Sequence, residues 1–127
     1  TAAAVFMARN GQSQNEIKAY ITEKFGYDLS STVDLIRPDY RFNETCQNTV
    51  PQALICFLEA DSFEDAIRNA ISIGGDSDTI GAIVGGIAEA KFGIPDDIAQ
   101  MGWGFLPSDM RKVMTDLYAI SQSRTGA

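Results

Sequence analysis

Apolar residues recur along this chain at helical spacing. Ile80, Ile83, Val84 and Ile87 fall at i, i+3, i+4 and i+7, one face of a helix that Gly93 and Pro95 close. Upstream, Ser13 and Glu16 form a capping box ahead of Ile17, Tyr20, Ile21 and Phe25, which trace one face as far as Gly26. Thr49 is placed to cap a further helix with Pro51 in its first turn, where a missing N–H does no harm, and Ala53, Leu54, Phe57 and Leu58 are its core face. Ser62 with Asp65 resembles a second capping box, followed by Phe63, Ala66, Ile67, Ala70 and Ile71. Between these helices, Ser30, Ser31 and Thr32 can cap a short turn, while Arg37-Pro38-Asp39-Tyr40 reads as a loop that no helix crosses. Asp96 to Trp103 predicts a short helix broken by Gly102 and Gly104. Leu106-Pro107-Ser108 then opens a last helix with Met110, Val113, Met114 and Leu117 as its buried face, and Ser121 to Ala127 is polar enough to fray. With no strand-like alternation and no hairpin signal, the pattern predicts a single all-α domain over residues 1–127.

The helix after Thr79 is unusual in its small residues. Gly81, Ala82, Gly85 and Gly86 lie in it, and each glycine costs about 0.8–1 kcal/mol relative to alanine in a helix interior. Close approach of another backbone along the Gly81/Gly85 and Ala82/Gly86/Ala90 rows would offset that, which predicts a central helix, the most buried of the set. Immediately before it stands Gly74-Gly75-Asp76-Ser77-Asp78-Thr79. In an extended or turning segment residues i and i+2 point the same way, so Asp76 and Asp78 can converge as oxygen ligands for a hard cation, with the Thr79 hydroxyl beside them. The plainer reading is that Asp78 or Thr79 caps the helix and a carboxylate meets the positive end of its dipole. An EF-type calcium loop is ruled out, because the twelfth position counted from Asp76 is Ile87 rather than Glu.

Composition narrows the chemistry. A chain of 127 residues, 45% hydrophobic and 21% charged, is long enough to bury a core. Its net charge of −7 argues against nucleic acid or an anionic membrane surface as partner. There is no histidine, which excludes Ser-His-Asp and Cys-His catalysis within the chain and disfavours zinc, leaving carboxylates and hydroxyls that suit magnesium, manganese or calcium. Cys46 and Cys56 carry no C-x-x-C pattern and read as reduced core residues. With no leader pattern and no long apolar run, the chain is expected to be soluble and cytoplasmic. Thr1 leads directly into the apolar run Ala2 to Met7, a helix entered partway, so the chain is expected to be a fragment. Arg37, Tyr40, Arg41 and Phe42 form a basic and aromatic cluster able to stack on a nucleotide-like ligand, or simply a solvated loop with an aromatic anchor.

The run GGDSDTIGAIVGGIAEAKFGIP, with Thr49-Val50-Pro51-Gln52-Ala53-Leu54 and Ser62-Phe63-Glu64-Asp65-Ala66 before it, resembles the ADP-ribosylglycohydrolase family, of the dinitrogenase-reductase-activating glycohydrolase type, in its C-terminal portion. The family's early Glu and its Thr-Asp-Asp run have no match here, and Asp96-Asp97 does not replace them. The resemblance implies an all-α fold and hydrolysis of the glycosidic bond of an ADP-ribosyl group, on a protein or a small molecule, with two divalent cations, Mg²⁺ or Mn²⁺. Asp76, Asp78 and Thr79 are the metal ligands it implies for this segment, with Asp76 and Asp78 serving catalysis. The missing N-terminal half would complete the site. Alone, the chain is expected to bind metal weakly, to be inactive and to self-associate. Two other classes compete: a non-catalytic interaction module in which the aspartates only cap a helix, and a manganese-dependent nucleotide-sugar transferase, although the latter sets D-x-D after a strand.

Overall fold

The computed structural model describes residues 1–125, and among them it is all-α: eight helices and no strand. Helices α1 (Ala2–Arg9), α2 (Gln14–Phe25), α3 (Val33–Ile36), α4 (Cys46–Leu58), α5 (Phe63–Ser72) and α6 (Ser77–Phe92) belong to one compact unit, Thr1–Ile94. A second unit begins at Pro95 and holds α7 (Asp96–Phe105) and α8 (Ser108–Thr125). The fraying expected up to Ala127 falls in part outside the described residues.

Local sequence explains most helix starts in the first unit. At α2 the capping box closes in both directions, with Ser13 Oγ accepting from the Glu16 N–H and Glu16 Oε2 accepting from the Ser13 N–H at 2.7 Å, and Gly26 ends the helix at φ 70°. Ile17 and Ile21 are buried, but Tyr20 and Phe25 lie on the exposed side of the predicted face. Thr32 caps α3, and Ser62 caps α5 by accepting from the Asp65 N–H at 3.1 Å. Helix α4 begins earlier than predicted, at Cys46 after Thr45, so Pro51 stands inside it. Thr49 caps nothing; its hydroxyl donates to the Asn43 carbonyl at 3.0 Å.

The core lies where α1, α4 and α5 pack on α6, with Leu54, Phe57, Ile80, Val84 and Ile87 fully enclosed. The most buried helix is nevertheless α4, in which Ala53, Leu54, Ile55, Cys56 and Phe57 are all buried in succession. Helix α6 is the hub, but its glycine rows do not meet a neighbouring backbone. A Cβ at Gly85 or Gly81 would meet the side-chain tips of Ile67 and Ile71, at 3.4 and 3.9 Å, and one at Gly86 would meet nothing. Gln14 Nε2 secures the end of α4, lying 3.0, 3.1 and 2.8 Å from the carbonyl oxygens of Phe57, Leu58 and Ala60. Lys91 Nζ donates to the Gln12 carbonyl at 2.7 Å and ties the end of α6 to the α1–α2 turn. Both cysteines are free; Cys56 is buried, which pushes its thiol pKa up to about 12, whereas Cys46 is exposed rather than in the core.

In the second unit α7 runs through Gly102 and Gly104 and ends at Leu106, before Pro107. Glycine weakens a helix without forbidding it, whereas the residue before proline is driven out of the helical region. No residue of α7 is buried, and of the face predicted for α8 Met110, Val113 and Leu117 are exposed while Met114 is half-buried. Periodicity supplies an apolar stripe, but burial requires a partner surface to cover it. Among the described residues no helix is long and apolar enough to cross a membrane.

Candidate metal centre

The segment between α5 and α6 is only Ile73 to Asp76, and its geometry comes from two glycines. Gly74 and Gly75 sit at φ 72° and φ 68°, two left-handed residues in succession that side chains with a Cβ rarely adopt. They turn the chain so that Asp76 becomes the N-cap residue of α6, with Ser77 the first helical position. Neither Asp78 nor Thr79 is the cap; both lie inside the first turn and are exposed.

Asp76 holds the cap position without capping, since its side chain accepts no hydrogen bond from the helix amides. Its carboxyl is instead the leading influence on that of Asp78, so the side chains at i and i+2 stand near one another. The Asp76 side chain, and the backbone N–H groups of Thr79 and Asp78, hold the Asp78 carboxyl below the usual carboxylate range. The Thr79 N–H lies 2.9 Å from Asp78 Oδ1. Two carboxylates in contact repel when both are ionised, and only a shared proton or a cation relieves that repulsion. Two anionic oxygen donors and an adjacent hydroxyl are a fitting donor set for a hard divalent ion. No cluster of three or more Asp, Glu, Cys or His side chains with metal-binding placement occurs among the described residues.

A second group of predicted residues proves to be next to this loop. A Cβ on Gly75 would fall 2.5 Å from Tyr40 Cε1 and 3.3 Å from the Arg41 carbonyl carbon, so the Tyr40 ring lies directly on the glycine. Arg37 Nε donates to Ser72 Oγ at 3.1 Å, at the end of α5. Arg41 is turned inward on its own loop, with Nη1 donating to the carbonyls of Pro38 and Tyr40. Beyond Tyr40 opens a cleft of about 400 Å³ lined by Phe42, Asn43, Asn48 and Gln52 among others. Tyr40 Oη and Gln52 Oε1 are buried there without a hydrogen-bond partner. The sequence marked the aromatic and basic members of this group, and Gln52 only within the Thr49 to Leu54 run, but held no signal for Asn48 or for contact with a glycine 35 positions away.

Comparison with known proteins bears on this arrangement. An uncharacterized protein of Archaeoglobus fulgidus is 33% identical over 78 residues, which is 61% of this chain and 21% of that protein. The chain therefore matches about a fifth of the length of that relative. No solved structure matches. The family described as ADP-ribosylglycohydrolase matches residues 2–124, across α1 to α8 and including the carboxylate pair. This chain belongs to the ADP-ribosylglycohydrolase family.

Proposed function

We propose that this segment supplies one side of a divalent-metal centre in an enzyme that hydrolyses the glycosidic bond of an ADP-ribosyl group, with Asp76, Asp78 and Thr79 as ligands. The observation that carries the reading is the behaviour of Asp76. A carboxylate placed at a helix N-cap and not used as a cap, with a second carboxylate two residues on in the first turn, has a better explanation in a shared cation than in helix stability. Family membership supplies the reaction class.

When bound, Mg²⁺ or Mn²⁺ supplies Lewis-acid charge at the scissile bond and activates water, which suits a chain without histidine. The chain's own part is to hold and orient. Asp78 is kept ionised at neutral pH by its hydrogen bonds, Asp76 brings a second carboxyl group beside it, and the glycine turn fixes both at the start of α6. The remaining ligands come from elsewhere in the longer protein, in the part that carries the family's earlier acidic residues, which makes this segment inactive alone. The substrate is an ADP-ribosylated protein or a small ADP-ribosyl compound, and the setting is cytoplasmic.

Product analysis tests this. The protein carrying this segment, given Mn²⁺ and an ADP-ribosylated polypeptide, is expected to release ADP-ribose, and Asp76→Asn is expected to stop it. Transfer from a nucleotide sugar with no hydrolysis of the ADP-ribosyl bond would contradict the proposal.

A further inference from the structure

We infer that Tyr40 is a positioning residue for the carboxylate pair, clamping the glycine turn from outside. The inference rests on the metal reading above and concerns how the ligands are held. Three observations on the α3–α4 connection converge. The Tyr40 ring takes the space a Cβ on Gly75 would need, so residue 75 is confined to glycine by the ring as well as by its φ of 68°. Three residues earlier, Arg37 reaches Ser72 at 3.1 Å, on the other side of Ile73 and Gly74, so the same connection grips the turn at both ends. The connection is itself braced, since the Tyr40 N–H donates to the Ile36 carbonyl at 2.9 Å and the Arg41 guanidinium donates to the Tyr40 carbonyl at 2.8 Å.

Two consecutive glycines are the most freely rotating unit a chain can contain, and a ligand attached directly after them is only as well placed as the turn. Asp76 follows Gly75 immediately; its carbonyl accepts from the Ile80 N–H at 3.0 Å, but its side chain makes no capping bond. The glycine side of the turn depends on an external contact, and the ring of Tyr40 is seated there. What matters is the ring and not the hydroxyl: Tyr40 Oη is buried with no partner, so it contributes nothing to the grip and its removal relieves an unsatisfied group.

The test compares Tyr40→Ala, Tyr40→Phe and the unsubstituted chain by Mn²⁺ calorimetry and by amide hydrogen exchange over residues 73–79 without metal. Supporting residues around metal ligands typically change affinity by 10–100-fold, so Tyr40→Ala is expected to weaken Mn²⁺ binding about tenfold and to speed exchange across the turn. Tyr40→Phe is expected to match the unsubstituted chain in both. Exchange unchanged in Tyr40→Ala, or accelerated equally in Tyr40→Phe, would overturn the clamp. If the unsubstituted chain binds no Mn²⁺, the metal reading fails, and the exchange measurement still decides whether Tyr40 orders the turn.

Discussion

Helices α4 and α6 pack on one another, with Phe57 and Phe92 meeting at a 6.2 Å centroid separation, yet their surroundings differ. Five successive residues of α4, Ala53 to Phe57, are buried, so the helix is enclosed on all sides over more than a turn. Helix α6 buries Ile80, Val84, Ile87 and Ala88 on one side and leaves Thr79, Ala82, Gly86 and Glu89 exposed on the other. Smallness and burial are therefore separate properties. An unbroken run of large apolar residues has only one good environment, the interior, because each exposed side chain forgoes about 1.5–3 kcal/mol. Glycine and alanine have little area to hide and are tolerated on either side. The open side of α6 runs from Asp78 and Thr79, the proposed ligands, past Ala82 to Gly86, on the strip the core does not use.

The contrast can be broken most forcefully at Phe57. Phe57→Ala removes a fully enclosed ring and is expected to destabilise the first unit by about 3–5 kcal/mol in denaturant titration. A loss near 1 kcal/mol would mean that α4 is not sealed. Gln14→Ala should come next, at about 1–3 kcal/mol, because it strips the donor from carbonyls at the closed end of α4. On α6 the same measurement should give far smaller numbers. Asp78→Asn removes one of two adjacent carboxylates from a helix N-terminus, where each is worth roughly 0.3–1 kcal/mol, and should leave stability nearly unchanged. Gly86→Ala should raise stability by up to about 1 kcal/mol, since a Cβ there meets nothing. A marked loss would show that the open face of α6 is covered in solution.

Acid should separate the carboxylates by role. Glu16 sits below the ordinary range because the Ser13 hydroxyl and N–H donate to it. Its stabilising effect is thus present above the carboxylate range and lost as pH falls through its own lowered value. Asp78, lowered by Asp76 and by backbone N–H groups, follows the same sign, so Mn²⁺ binding should be full at neutral pH and fade only at the acid end. Binding that strengthens on acidification would contradict ligation by carboxylates.

The sequence exposed features whose cause is local. Ser13, Thr32 and Ser62 announced helix starts because a hydroxyl caps an amide two or three residues away. The Asp76–Asp78 pair was legible for the same reason, one residue of separation at a helix start. What escaped depends on competing local bonds or on distant partners. Pro51 looked like a first-turn residue, yet α4 starts a turn earlier, where Asn43 Oδ1 accepts from the Thr45 N–H at 2.8 Å and the Thr49 hydroxyl is drawn back to the Asn43 carbonyl. The stripe of Met110, Val113 and Leu117 was real as a pattern but not as a core. The seat of Tyr40 on Gly75 left no trace, because a glycine required by φ and a glycine required by a neighbouring ring are the same letter.

Asp76 and Asp78 are proposed to hold a divalent ion together, and calorimetric titration of Mn²⁺ into the unsubstituted chain and into Asp76→Asn/Asp78→Asn tests that most directly. The prediction is weak, saturable binding by the first and none by the second, with the helical circular dichroism of both the same. Equal binding by the two proteins, or no binding by the first, would contradict it.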